Sequence, residues 1–298
     1  MEKINILSFN VKNIKTNNYY LTQEIVNNNI DICYITETWL AEEETQIVYD
    51  KFGSKFNVSN QNEFSISSER RGRPFGGKRW LINKKLKIGK HEYVNKDVSF
   101  TEFVNDDGTS KFLVIGVHLP FDDGTNSRIS NFLSNLEIIN SLVDEYSNLP
   151  VITIGDFNTD LNTNKRYSVK LAKFIEENKM TCMDYKFPNT AYTYRNGNFE
   201  NRIDHVITNE IAGDFVIDCK ILEHIENMSD HNPILSALLL NPINYNNNNE
   251  FNINDRKFYK FPWNEEKFVK EFQQGIKDKM SNFEYELRLN TLAIEMST

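Results

Sequence analysis

A chain of 298 residues with 34 basic and 42 acidic side chains, net charge −8, can build one large α/β domain or two modest ones. That charge argues against a protein that grips nucleic acid by electrostatics alone, although one basic cleft can coexist with an acidic surface. Hydrophobic residues at 39% with 12% aromatics exclude a disordered chain, and the cysteines Cys33, Cys182 and Cys219 are too few and too scattered for a disulfide scaffold or a zinc cage. A reduced, intracellular compartment is the expectation. Residues 1–10 lack the apolar core of a signal peptide, and no stretch approaches the roughly 20 apolar residues of a membrane span.

Taken in chain order, short apolar runs predict strands at 4–9, 32–36, 112–118, 151–154, 203–208 and 234–240. Helices are predicted around Leu21, Ile25 and Val26, over 127–146, and around Leu171, Phe174 and Ile175. The second is the clearest, because Ile129, Phe132, Leu133, Leu136, Ile139 and Val143 recur at helical spacing. The class is α/β. Gly76-Gly77 reads as a turn, since no lysine–serine pair follows at phosphate-loop spacing. Beyond 240 the run Asn246 to Asn249 marks a linker over 241–255, because Asn competes with the backbone for hydrogen bonds. A tail over 256–298 carries aromatic anchors (Phe258, Phe261, Trp263) and a short amphipathic helix through Phe268, Phe272 and Ile276.

The informative feature is where polar residues stand relative to the strands. Asn10 follows the first strand and Glu37 the second; His118 ends the third. Asp156 and Asn158 follow the fourth, Asp204 and His205 open the fifth, and Asp230 with His231 precede the sixth. Each alone has an ordinary explanation: a solvated loop, an Asx-turn, a turn before proline, a surface histidine. Strand ends in a layered α/β domain can nevertheless converge on one rim, where ligands bind.

The ordered set Ser8-Phe9-Asn10, Thr36-Glu37-Thr38, Gly155-Asp156-Phe157-Asn158, Ile203-Asp204-His205 and Ser229-Asp230-His231-Asn232-Pro233 resembles the endonuclease/exonuclease/phosphatase family, which includes deoxyribonuclease I. Within it, Glu37-Thr38-Trp39-Leu40, Gly72-Arg73-Pro74-Phe75-Gly76-Gly77 and Tyr192-Thr193-Tyr194 are similar to the endonuclease domains of non-LTR retrotransposons. Two departures stand out. His118 takes the place of a usual Tyr, and Lys78-Arg79-Trp80 follows the glycine pair where an apolar strand is usual.

The resemblance implies a two-layer β-sandwich flanked by helices, with the site at one edge, over 1–240. It implies a DNA endonuclease that nicks one strand to leave 3′-hydroxyl and 5′-phosphate ends, and a Mg²⁺ cofactor for which Mn²⁺ can substitute. Glu37 is the expected primary metal ligand, with Asn10 contributing an oxygen or orienting it and Asp230 a second candidate; the histidines are not expected to ligate. Asp156 would position or deprotonate the water, Asn158 hold a phosphate oxygen, and His231, oriented by Asp204, face the phosphate. His118 would donate to the phosphate or the leaving oxygen, and Thr193 hold the phosphate or neighbouring backbone. Arg73, Lys78 and Arg79, with Arg70 and Arg71, would clamp backbone phosphates. The implied partner is DNA and not a membrane, with a monomer heading a longer reverse-transcriptase polyprotein, nuclear if it acts on chromosomal DNA. Two alternatives stay open: another phosphodiesterase or phosphatase on the same scaffold, and a catalytically silent interaction module.

Overall fold

The computed structural model describes residues 2–62, 75–187 and 192–240, all within the compact unit Met1–Ile243. The predicted linker and tail lie outside the described residues. Two six-stranded mixed sheets and a small hairpin make up the β-structure. The first sheet holds β1 (Glu2–Asn10), β2 (Ile32–Thr36), β3 (Phe56–Gln61) and β4 (Lys78–Asn83), with β13 (Val216–Ile221) and β14 (Ile234–Leu240), in the order β13-β14-β1-β2-β4-β3. The second runs β5-β6-β7-β8-β12-β9, from β5 (Lys87–Tyr93), β6 (Val98–Val104), β7 (Ser110–His118), β8 (Val151–Asp156), β12 (Asp204–Thr208) and β9 (Thr181–Cys182). The hairpin pairs β10 (Tyr194–Asn196) with β11 (Phe199–Asn201).

The sheets stack through a core in which Ile4, Ile6, Tyr34 and Trp80 of the first meet Val114, Ile152, Ile154 and Val206 of the second. Helices cover the outer faces. Against the first sheet lie α1 (Ile14–Asn27) and α2 (Gln46–Phe52), packing Tyr20, Leu21, Ile25 and Phe52 on Leu7, Phe9, Ile35 and Leu81. Against the second lie α3 (Asn126–Glu145) and α4 (Arg166–Glu177), burying Phe132, Leu136, Ile139 and Leu171 on Leu113, Ile115 and Ile207. Two short helices, α5 (Met183–Lys186) and α6 (Glu210–Phe215), and a 3-10 turn at Glu42–Glu44 complete the described elements.

All six predicted strands and three predicted helices are present, with ends shifted by a few residues. Val26, taken as part of an apolar stripe, is instead 60% exposed. The Lys78-Arg79-Trp80 segment, unusual for a strand, forms β4 between β2 and β3. No helix among the described residues is long and apolar enough to cross a membrane.

Candidate active site

Topology brings the singled-out residues to one edge. In the first sheet, β1 and β2 run parallel, so Asn10 ends opposite Thr36, immediately before Glu37. In the second, parallel β7 and β8 set His118 opposite Asp156, and antiparallel β12 sets Asp204 on the other side of Asp156. Strand β14 is antiparallel to β1, so the loop leading into it carries Asp230 and His231 to the same end. Glu37 stands at φ 52° and Asn158 at φ 50°, a left-handed backbone uncommon for such residues and often found at functional positions. The Glu37 turn is laced to the glycine pair, with Thr38 N–H donating to Gly77 O (3.2 Å) and Trp39 N–H to Gly76 O (3.0 Å), so those glycines serve as turn partners.

Buried Asn10 joins the two sheets. Its amide donates to Glu37 Oε1 at 3.0 Å and to Asp156 Oδ2 at 3.1 Å, while its own oxygen accepts the Lys12 N–H at 3.3 Å. The amide hydrogens, not the oxygen, therefore face the carboxylates. His118 Nε2 lies 3.7 Å from Glu37 and 3.9 Å from Asp156, so Glu37, His118 and Asp156 form a cluster able to hold a metal ion. The oxygen donors suit a hard divalent cation.

On the far side of Asp156, His231 Nδ1 contacts Asp204 Oδ2 at 2.8 Å and His231 Nε2 points at Asp156 Oδ2 from 4.0 Å. Burial opposes charging of His231, but the Asp204 carboxylate outweighs it and raises the imidazole pKa to about 9. Burial, and then the Asp204 charge, push Asp156 up to about 7. Ser229 fastens the His231 loop, its hydroxyl donating to Asn10 O at 2.7 Å and accepting the His231 N–H at 3.1 Å.

The other predicted residues sort differently. Asn158 forms the ordinary Asx-turn, its N–H donating to Asp156 Oδ1 at 2.8 Å, and its amide donates to Leu119 O at 2.8 Å at the exit of β7. Thr193 is fully buried, and its hydroxyl accepts the N–H groups of Ile203 (2.8 Å) and Asp204 (2.9 Å); the neighbouring backbone is what it holds. Asp230 is paired with the Lys12 ammonium and stands outside both acid–histidine clusters, so a cation from the chain itself already neutralises the second ligand candidate. Lys12 carried no sequence pattern, being a lone lysine two residues past Asn10.

The basic patch is corrected. Lys78 and Arg79 are buried at 1% and 0% exposure as the first residues of β4, and Arg79 donates to Lys78 O and Asn62 Oδ1. Burial lowers the Arg79 pKa to about 10. Cross-strand pairing to Thr36 and Ile35 draws both into the sheet interior, so neither is a surface clamp. Arg73, with Arg70 and Arg71, lies outside the described residues. A depression of about 490 Å³ opens beside Asp230, lined by Tyr192, Arg195, His224, Asn227 and Asn232, and flanks the acidic cluster without containing it.

A helix-flanked β-sandwich with acids, amides and histidines gathered at one edge defines the deoxyribonuclease I-like class, and the resemblance to the endonuclease/exonuclease/phosphatase family holds. Residues 113–235 match the family described as "Endonuclease-reverse transcriptase". A 3′ phosphatase from Neisseria bound to product DNA hairpin superposes with a TM-score of 0.63 at 12% identity, over 80% of this chain and 100% of that one. An AP endonuclease from Archaeoglobus fulgidus gives 0.62 at 14% identity over 80% and 100%. The endonuclease domain of TRAS1, a telomere-specific non-LTR retrotransposon, gives 0.59 at 14% identity over 80% and 98%. No curated protein matches the sequence. The chain thus carries the deoxyribonuclease I-like fold.

Proposed function

We propose that this chain is a magnesium-dependent DNA endonuclease that nicks one strand and leaves 3′-hydroxyl and 5′-phosphate ends. The observation that carries the reading is the Asn10 amide joining Glu37 to Asp156, with the His231–Asp204 pair on the other side of Asp156. Glu37, oriented by Asn10, would hold the Mg²⁺, for which Mn²⁺ can substitute. Bound there, it supplies charge neutralisation of the non-bridging phosphate oxygens. Asp156, raised to about 7, is tuned to take a proton from the attacking water near neutral pH. His231 remains an imidazolium and offers its Nε2 proton to the phosphate, held in that orientation by Asp204. Asn158 donates one amide hydrogen to Leu119 and has a second for a phosphate oxygen. His118, beside Glu37 and Asp156, is within reach of the same phosphate or the leaving oxygen.

The family match and the likeness to a retrotransposon endonuclease domain support DNA as partner and a place beside a reverse transcriptase, with nuclear action on chromosomal DNA and a monomeric domain over 1–240. Burial of Lys78 and Arg79, together with the net charge of −8, favours a second reading: hydrolysis of a small phosphate ester. Nicking of supercoiled plasmid separates the two. Open-circle product that needs Mg²⁺, stops with EDTA and falls about 10²- to 10⁴-fold in Asp156→Ala is expected. Folded wild-type protein that never nicks plasmid yet hydrolyses a small ester would transfer the assignment to the second reading.

A further inference from the structure

Behind the candidate active site lies a second group of donors that the sequence separates and the fold assembles. Cys182 ends β9, Asp184 lies in α5, and His205 is the second residue of β12. One ligand atom from each lies within 4.8 Å of the others. Cys182 Sγ is 3.1 Å from Asp184 Oδ1 and 3.7 Å from His205 Nδ1, and His205 Nδ1 is 3.0 Å from Asp184 Oδ2. Tetrahedral bonds of about 2.0 Å to nitrogen or oxygen and about 2.3 Å to sulfur set ligand–ligand edges of roughly 3.3 to 3.7 Å; the sulfur–nitrogen separation of 3.7 Å matches, and Asp184 meets the two partners through different oxygens, one of which would ligate. Cys219, on β13 against α5, is buried in the core but stands outside this group.

We propose that Cys182, Asp184 and His205 form a zinc site distinct from the Glu37–Asp156 centre. The donor chemistry favours zinc, since thiolate with imidazole is a borderline-soft set that magnesium does not choose. Outer partners are in place. His205 Nε2 donates to Thr159 O at 2.8 Å, which fixes Nδ1 as the ligating nitrogen, and Asp184 Oδ1 accepts the Val206 N–H at 3.0 Å. Asp184 and His205 are fully buried, whereas half-buried Cys182 leaves a route of entry.

Charge balances on binding. Without metal, His205 meets an acceptor at each ring nitrogen and is an imidazolium paired with the Asp184 carboxylate, beside the neutral Cys182 thiol. Zinc takes the place of the Nδ1 proton and of the proton of the Cys182 thiol, and these protons leave to solvent. The tie to Thr159 gives the site a purpose: it staples the turn that carries Asp156 and Asn158 to the back of the sandwich.

The test is metal content of the full chain purified without chelator. About one zinc per chain that survives dialysis, and is released by denaturation with a chelator, is expected. Cobalt substitution should give thiolate-to-cobalt charge-transfer absorption. Cys182→Ser should lose that absorption and the zinc, and Glu37→Gln should keep both. Wild-type protein that holds no zinc even after refolding with zinc present overturns the proposal and leaves a hydrogen-bonded ion pair. So does a cobalt form without the thiolate band, or zinc lost by Glu37→Gln but kept by Cys182→Ser.

Discussion

The Asn10 amide has two hydrogens and spends them on different carboxylates, one from each half of the sandwich. Charge-assisted hydrogen bonds of this kind contribute about 1.5 to 3 kcal/mol each. Asn10→Ala should therefore lower the melting temperature and the hydrolytic rate together; a variant with normal rate would remove the amide from the mechanism. His231 carries a pH prediction. Its raised pKa means that the proton is held below about pH 9 and lost as pH rises through that value, and the stability owed to the Asp204 contact follows the same window. The rate should fall with a one-proton slope near pH 9, and Asp204→Asn should move that limb to lower pH. An unmoved limb would assign the titration to another group. At this scale the sequence was generous with the rim: an Asp, Asn or His directly after an apolar strand is visible without a structure. Lys12, and the set Cys182, Asp184 and His205, were hidden because only tertiary packing brings them to their partners.

Among elements, the β7–β8 pair aligns His118 with Asp156, and its close approach depends on Gly155. That residue has φ 137°, and a Cβ there would stand 2.0 Å from Val117 O. Gly155→Ala has no flexible neighbour to displace, so we expect a loss of about 3 kcal/mol or more in chemical denaturation. A loss under 1 kcal/mol would mean the two strands can part without harm. Strands buried on both faces, such as β2 and β8, announced themselves as unbroken apolar runs. Strand β5 did not, because most of its Lys87–Tyr93 sequence is polar and exposed, and β4 was obscured by buried cations at its start. The hairpin β10–β11 has three mostly exposed residues per strand, too few to show a period.

For the molecule as a whole, charge sets how DNA would be held. The overall charge is −8, and Lys78 and Arg79 of the expected clamp are withdrawn into the sheet. The dependence of log affinity on log salt should be shallow, about −0.9 per phosphate for two or three contacts. Fluorescence anisotropy of a duplex against salt checks this, and a slope steeper than about −5 would overturn it.

The rim is divided between two sheets, Asn10 and Glu37 on one and His118, Asp156 and Asp204 on the other, and what sets their separation lies deep in the core. Trp80 of the first sheet donates its indole N–H to Ser99 of the second at 3.0 Å. Gly116 admits that ring so closely that a single added carbon would stand 2.6 Å from it. The indole is thus a shim between two plates, and its thickness sets the bore of the cleft. A chain built this way can be re-gauged for a wider or narrower phosphodiester by core substitutions that leave every rim residue untouched.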